Sequence, residues 1–233
     1  MSNTISTRSP IRRWRPASVI AGLAALALLA GCSTGGGPAT NGSGAGSDPN
    51  ASGSTWTDIQ KRGVINIGVG LTTPPYGMTD KSGKPAGFDT DVAKALAKFL
   101  GVKANIFEVT ADGRIPTVQS GKADIISFTL TQTPEREEQI DFSTPTMNTY
   151  QGVAVLKSSS IKSIDELEDK TLSAQKGALG ATVAAQAYPN ATLQQYDTAV
   201  ATRLAVEQGQ ADAIVDSISV LAYAIGHGSD KLR

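Results

Sequence analysis

Residues 118–124 read VQSGKAD, and residues 206–212 read VEQGQAD. In each copy a valine and two polar residues lead to a glycine, and an Ala-Asp pair then leads into an apolar run. Glycine commonly ends helices, and a short apolar run is typical of a buried strand. Any helix–glycine–strand junction could look like this. The recurrence nevertheless favours a chain built from two similar α/β halves.

Strand-like and helix-like stretches alternate around both copies. Asp89 is a plausible N-cap and Gly101 a plausible stop for a helix over residues 88–100, and Ser163 with Glu166 forms a capping box. Asp197 is predicted to cap a later helix. The alternation favours parallel sheets covered by helices. Strands are predicted at residues 64–69, 104–109, 124–128, 151–156, 171–174, 192–196 and 213–215.

Polar side chains follow the strand after each copy of the repeat. Thr129-Leu130-Thr131 lies in the first half and Asp216-Ser217 in the second. Ligands bind outside the carboxyl ends of strands in open α/β sheets, so two facing halves would form a binding cleft.

The charges near these strand ends suit a zwitterion. Arg136 follows Thr133-Pro134, which opens a helix, and a guanidinium with threonine hydroxyls and helix N–H groups can hold a carboxylate. Asp216 would hold an ammonium group. Each residue also has a plainer interpretation, since Arg136 could pair with Glu135 or Glu137 and Asp216 could cap a helix.

Composition excludes several classes of function. Formal net charge is zero, and His227 is the only histidine. The sequence has no basic patch with interleaved aromatic residues, so it gives no indication of nucleic-acid binding. A histidine-rich metal site is excluded by count, and no cofactor is expected. Serine–histidine catalysis would depend on His227 alone.

The N-terminus predicts export. A basic cluster precedes the apolar run Val19–Ala30, which is too short for the ~20 residues of a spanning helix and suits a signal peptide. The run leads to Cys32, the only cysteine, in a segment that resembles a bacterial lipobox. We expect residues 1–32 to be a lipoprotein signal peptide with lipidation at Cys32. Residues 33–55, rich in glycine and serine, are expected to be a flexible tether.

Four motifs occur along the chain at a characteristic spacing, namely Gly87–Leu96, Ile115–Asp124, Thr131–Arg136 and Asp141–Ser143. Together they resemble the polar amino-acid solute-binding proteins of ABC importers, family 3. The resemblance runs from about Trp56 to the end. It implies an α/β, two-lobed periplasmic-binding-protein type 2 (Venus-flytrap) fold, with lobe 1 at residues 56–150 and lobe 2 at residues 151–233.

The same resemblance implies site residues. Arg136 and Thr131 would bind the ligand α-carboxylate, Thr129 would contribute backbone contacts, and Gly177 would lie at the site in lobe 2. Asp216 would bind the α-ammonium group, although a one-residue shortening after Asp212 leaves Ser217 as an alternative. Two positions where the family often has aromatic residues carry Thr73 and Ala111.

Arg114 stands where many relatives carry an aliphatic residue. Members that resemble acidic amino-acid binders have an arginine there, which favours glutamate or aspartate as ligand. The alternative is an exposed arginine in the first turn of a helix.

Family members usually continue about fifty residues further, so the resemblance also implies an incomplete second lobe and return crossover. The expected function is solute capture outside the cytoplasmic membrane, as a lipid-anchored monomer that delivers an amino acid to an ABC permease. Some proteins of this fold resemble dehydratases or lyases, and others are sensory modules. Neither a positioned acid or base nor a signalling domain is evident in the sequence.

Overall fold

The computed structural model describes residues 56–233. The predicted signal peptide, Cys32 and the predicted tether lie outside the described residues. Seven α-helices and ten β-strands are found within the described part. In chain order they are α1 (Trp56–Arg62), β1 (Val64–Val69), β2 (Thr72–Thr73), β3 (Gly77–Thr79), β4 (Pro85–Ala86), α2 (Phe88–Phe99), β5 (Lys103–Glu108), α3 (Arg114–Gln119), β6 (Ile125–Ile126), α4 (Pro134–Glu137), β7 (Gln151–Val155), β8 (Thr171–Gln175), α5 (Leu179–Ala187), β9 (Thr192–Tyr196), α6 (Ala199–Glu207), β10 (Ala213–Ser217) and α7 (Ile218–Tyr223).

Two open sheets form the cores of two lobes. In lobe 1 the strand order is β5-β1-β6, with both pairings parallel. In lobe 2 the order is β7-β10-β8-β9, where only β7 runs antiparallel to its neighbour. Strands β2, β3 and β4 form a small antiparallel sheet. The mainly parallel pairing predicted from the alternation is therefore found in both large sheets.

Apolar side chains cover both faces of the lobe 2 sheet. Ala213 and Val215 of β10 pack in one buried cluster with Leu172, whereas Ile214 packs on the opposite face with Leu221. Lobe 1 has its own core, in which Ile65, Ile67 and Val69 of β1 pack against α1 and α2. Burial on both faces is what parallel strands between helices require.

The repeated sequence adopts the same local structure in both lobes. Gly121 and Gly209 both end helices with positive φ, at 71° and 73°. Asp124 accepts a hydrogen bond from the backbone N–H of Asn66 (2.7 Å), and Asp212 accepts one from that of Thr171 (2.8 Å). The backbone N–H groups of the two aspartates donate in return to the carbonyls of the same residues. The two halves are therefore similar at the junction that led to their prediction.

Two predicted helix caps are wrong. Helix α2 has Gly87 as its N-cap, and Asp89 lies inside the first turn with its side chain turned into the protein. Helix α6 is capped by Thr198, whose hydroxyl accepts from the N–H of Ala201 (3.0 Å), rather than by Asp197. The capping box of Ser163 and Glu166 is present, but it opens a single 3₁₀ turn at Ile164–Glu166.

Candidate functional site

A cleft of about 860 Å³ is lined by residues of both lobes. Of the six predicted ligand-binding residues, Arg114, Thr129, Thr131 and Asp216 line it. Arg136 and Gly177 are not among the lining residues, and they hydrogen-bond to each other. Tyr76 of lobe 1 and Ser219 of lobe 2 share a hydrogen bond across the lobes. Tyr76 also packs with Ala199 and Val220 in a buried cluster that joins the lobes.

Arg114 is a buried side chain whose hydrogen bonds go to the backbone. It is 3% exposed at the start of α3. Its Nε donates to the carbonyl of Ala111 (2.7 Å), and Nη1 donates to the carbonyls of Phe128 (3.1 Å) and Thr129 (3.2 Å). Its Nη2 donates across the lobes to the carbonyl of Gly177 (2.8 Å). Arg114 therefore joins three segments of chain rather than projecting from an exposed helix turn.

The Arg114 guanidinium has an aromatic ring beside it and several charged groups nearby. It lies over the ring of Phe128, 5.0 Å from the ring centroid. Burial lowers the pKa of Arg114, and the nearby Arg136 lowers it further, while Asp89 and Asp216 act in the opposite direction. A guanidinium has five N–H groups, so the four backbone bonds leave it one donor for any further partner.

Asp89 is a site residue that sequence reasoning missed. Its carboxylate accepts from the backbone N–H of Thr129 (3.1 Å), and its backbone carbonyl accepts from the hydroxyl of Ser127 (2.9 Å). Thr129 has a φ of 30°, which is uncommon for a residue other than glycine. Asp89 therefore fixes the backbone of a predicted ligand-binding residue. The sequence did contain a signal for Asp89, namely an acidic residue in the first turn of a helix that begins after a glycine.

Arg136 holds the backbone of Thr131 and bridges the lobes. It is half-buried in the four-residue helix α4, where Nη1 donates to the carbonyl of Thr131 (2.7 Å) and Nη2 to the carbonyl of Gly177 (3.1 Å). No ion pair of Arg136 with Glu135 or Glu137 occurs within residues 56–233, although Glu135 is close enough to interact electrostatically. Burial lowers the pKa of Arg136.

Gly177 lies at a close contact between the lobes. Its φ is 74°, and a Cβ atom there would lie 2.6 Å from the Cα of Asp112 and 2.7 Å from its backbone nitrogen. The neighbouring Lys176 forms an ion pair with Asp112 (2.8 Å). Residue 177 therefore has to be glycine for its carbonyl to approach both Arg114 and Arg136.

Asp216 lies at the carboxyl end of β10, in the wall that lobe 2 contributes. Its carboxylate accepts from the backbone N–H of Ser217 (2.6 Å). Ser217, not Asp216, is the N-cap of α7, and it also lines the cleft. Burial raises the pKa of Asp216 to about 6 despite the opposing effects of the Ser217 N–H and Arg114. Burial likewise raises the pKa of Asp89 to about 6.

Two further observations concern residues 56–233 as a whole. No group of three or more His, Cys, Asp or Glu side chains in residues 56–233 is arranged to hold a metal ion. Among these same residues, no helix is both long enough and apolar enough to span a membrane.

The chain is similar in sequence and structure to known binding proteins. A sequence profile described as bacterial extracellular solute-binding proteins, family 3, matches residues 65–201. A glutamine-binding protein of Geobacillus stearothermophilus is 33% identical over 214 residues, which cover 89% of this chain and 81% of that protein. The crystal structure of a cysteine-binding protein from Campylobacter jejuni superposes with a TM-score of 0.72 at 37% identity, covering 76% of this chain and 73% of that one.

A third similar protein has a connection to catalysis. The crystal structure of an ancestral amino acid-binding protein, described as a precursor of cyclohexadienyl dehydratase, has a TM-score of 0.72 at 38% identity and covers 74% of this chain and 78% of that one. The predicted α/β, two-lobed type 2 periplasmic-binding-protein fold is confirmed by these structures. The chain belongs to the bacterial extracellular solute-binding proteins, family 3.

Proposed function

We propose that this protein captures a polar amino acid outside the cytoplasmic membrane and delivers it to the permease of an ABC transporter. The observation that carries the proposal is the distribution of charge around one cleft. Arg136 donates to the carbonyl of Thr131, which lines the cleft on its lobe 1 side, and the buried carboxylate of Asp216 lies in its lobe 2 wall. A free amino acid carries one carboxylate and one ammonium group, so it can bridge the two lobes. The named ligands of the similar proteins, glutamine and cysteine, are amino acids.

The proposed roles follow from position and charge. The ligand carboxylate binds Arg136, with Thr131 and the backbone of Thr129 beside it, and Gly177 receives both arginines as the lobes close. The ligand ammonium binds Asp216, with Ser217 as its neighbour. Binding in the open cleft favours the closed form, which then docks on the permease.

The sequence around Arg114 led us to expect an acidic ligand, but the hydrogen bonds of Arg114 in the structure do not support this ligand class. A glutamate or aspartate side chain would need free guanidinium donors, and four hydrogen bonds from Arg114 already go to backbone carbonyls. We therefore assign Arg114 to building the cleft wall. Glutamate and aspartate stay in the ligand panel as the direct test of the original expectation.

Export and anchoring complete the proposal. Residues 1–32 act as a lipoprotein signal peptide, Cys32 receives the lipid, and residues 33–55 tether the folded part as a monomer to the extracytoplasmic face of the membrane. The family's extracellular description agrees with this location.

An enzymatic function of the dehydratase or lyase type is the second candidate. It is favoured by the similarity to a dehydratase precursor and by the raised pKa of Asp89 and Asp216, since a general acid needs a pKa near the working pH. Incubation of candidate substrates with the protein, followed by product analysis, separates an enzyme from a binding protein.

The test of the proposed function is thermal unfolding of the full chain in detergent, with and without each of the twenty amino acids. A ligand at a thousand times its Kd stabilises the folded state by about 4 kcal/mol. For a domain of this size the unfolding midpoint should rise by roughly 8–16 °C. A cooperative transition that no amino acid moves would contradict the proposal.

Ligand binding should weaken as the pH falls. Burial raises the folded-state pKa of Asp216 and Asp89 from an ordinary 3.8 to about 6, so the folded protein without ligand is destabilised as the pH rises from about 4 to about 6. An ammonium ligand needs the ionised form of Asp216, so binding releases a proton near pH 6. We expect the affinity to fall several-fold between about pH 7.5 and about pH 5, measured by calorimetry. The Asp216→Asn variant should bind the ligand weakly at both pH values. If the affinity of the unaltered protein did not change between these pH values, the role of Asp216 would be contradicted.

Gly177→Ala should weaken ligand binding by about 5- to 100-fold, because overpacking of 1–3 kcal/mol would oppose closure of the lobes at Asp112. The matched control is Gly209→Ala. Gly209 has nearly the same φ, 73°, but no atom of residues 56–233 lies within 4 Å of its added Cβ. Both variants should lose similar stability from the left-handed backbone, whereas only Gly177→Ala should lose affinity in calorimetry. Equal affinities would show that the contact with Asp112 is not needed for closure.

A further inference from the structure

Thr129 has a backbone conformation that its own side chain disfavours. In residues 56–233 it is the only residue other than glycine with a positive φ, at 30°. Threonine is β-branched, and a β-branched side chain makes a positive φ unfavourable. Such a conformation persists only where neighbouring groups fix it, and it is often found at functional sites.

Two buried charged side chains hold Thr129, one at each backbone polar group. The carboxylate of Asp89 accepts from its N–H (3.1 Å), and Nη1 of Arg114 donates to its carbonyl (3.2 Å). Asp89 is 6% exposed and Arg114 is 3% exposed. Because both side chains are buried, water cannot readily replace either bond. Tertiary contacts rather than local preference therefore set the backbone of Thr129.

Asp89 is itself held rigidly at the start of α2. Its backbone N–H donates to the carbonyl of Tyr76 (2.8 Å), and its backbone carbonyl accepts from the hydroxyl of Ser127 (2.9 Å). The preceding Gly87 has a φ of 110°, and a Cβ atom there would lie 2.5 Å from the carbonyl oxygen of Tyr76. Glycine at residue 87 thus allows the close approach that places the Asp89 carboxylate under Thr129.

The conformation of Thr129 determines where the next residues lie. Thr129 and Thr131 both line the cleft. The side chain of Arg136 donates to the carbonyl of Thr131 (2.7 Å). A rotation about φ of one residue redirects the chain that follows it. If Thr129 relaxed to a negative φ, Thr131 and the guanidinium of Arg136 would move relative to the cleft.

We propose that Asp89 is a positioning residue for ligand binding, which holds Thr129 in its strained conformation and so keeps Thr131 and Arg136 where the ligand carboxylate binds. This inference rests on the proposed function, because it assumes that an amino acid binds in the cleft. Asp89 acts through the backbone of Thr129. A direct bond from Asp89 to the ligand would be a different role, and no change at residue 129 could compensate for its loss.

The experiment is a double-mutant cycle at Asp89 and Thr129, measured by calorimetric titration of the full chain in detergent with each of the twenty amino acids. Asp89→Ala should weaken every amino acid that the wild type binds by about 5- to 150-fold, because binding then has to restore the strained backbone. Glycine adopts a positive φ without this strain. In a Thr129→Gly background the same Asp89→Ala change should therefore cost less than about 3-fold in affinity.

Three variants separate this role from general damage to the fold. Asp89→Asn keeps an acceptor oxygen for the N–H of Thr129 and should retain most of the affinity. Leu130→Gly places glycine one residue later, where φ is not positive, and should not restore binding to Asp89→Ala. Asp212→Ala removes a carboxylate that accepts from the N–H of Thr171 (2.8 Å) in lobe 2, so it should lower the unfolding midpoint without changing the affinity.

The coupling between the two positions decides the outcome. A Thr129→Gly change that restores neither binding nor folding to Asp89→Ala would overturn the inference, and so would an Asp89→Ala variant that binds as tightly as the wild type. Either result would leave the proposed function standing. A wild-type protein that binds no amino acid would overturn both.

Discussion

Replacing Arg114 with alanine should lower the free energy of unfolding by about 3–5 kcal/mol, the cost typical of removing one partner from a buried charged interaction. The side chain is 3% exposed and donates to the carbonyls of Ala111, Phe128, Thr129 and Gly177. Its loss would leave these carbonyls short of a donor and would open a cavity beside Phe128. For a domain of this size the unfolding midpoint should fall by roughly 6–20 °C, measured by differential scanning calorimetry without added ligand.

The control for this prediction is Arg233→Ala. Arg233 also donates to two backbone carbonyls, those of Ser159 and Ile161, but it is exposed. Its replacement should cost less than about 1 kcal/mol. If Arg114→Ala kept its stability and changed only the preference among amino acids, Arg114 would return to the ligand-binding role expected from the sequence.

Arg136→Ala should weaken binding of every amino acid by at least about 100-fold. The proposed contact is a pair of charge-assisted hydrogen bonds to the ligand carboxylate, each worth about 1.5–3 kcal/mol. Because all amino acids share this carboxylate, the loss should not depend on the ligand side chain. Calorimetric titration with several amino acids measures both the loss and its uniformity.

Two variants control the Arg136 experiment. Arg203→Ala removes an arginine of α6 that pairs with Glu207 and donates to the carbonyl of Gly228, and it should leave ligand affinity unchanged. Arg136→Lys keeps the charge but loses the planar pair of donors, so it should recover only part of the affinity. Near-normal binding by Arg136→Ala would assign the carboxylate to another cation of the cleft.

Much of the fold could be predicted because its signals are local in sequence. The predicted strand at residues 64–69 agrees with β1, and that at residues 192–196 agrees with β9. Apolar periodicity and glycines with positive φ, such as Gly121 and Gly209, act within a few residues of the chain. The two caps were misassigned because Asp89 and Asp197 are as suitable for capping as their neighbours. Which residue caps a helix depends on where the backbone turns.

The candidate site was less predictable than the fold. Thr129, Thr131 and Asp216 do line one cleft, as their positions at strand ends suggested, and Arg114, which the family resemblance pointed to, lines it as well. The contacts of Arg114 were not foreseeable, because its bond to Gly177 joins residues separated by 63 positions. Asp89 was overlooked for the same reason, since Thr129 lies 40 positions away.

The sequence by itself determined the order along the chain of the strands in the two large sheets and of the main helices, the similarity of the two halves and the family, but not the small sheet of β2, β3 and β4. These properties depend on side-chain pattern and on the conformational limits of single residues. Only the tertiary structure decided which polar groups already have partners. Arg114 and Arg136 both donate to the carbonyl of Gly177, whereas the side-chain oxygens of Thr73 and Gln151 have no partner in residues 56–233. Each N–H group offers one hydrogen and a carbonyl oxygen has two lone pairs, and the partners of a buried group come from segments that meet only when the lobes pack together.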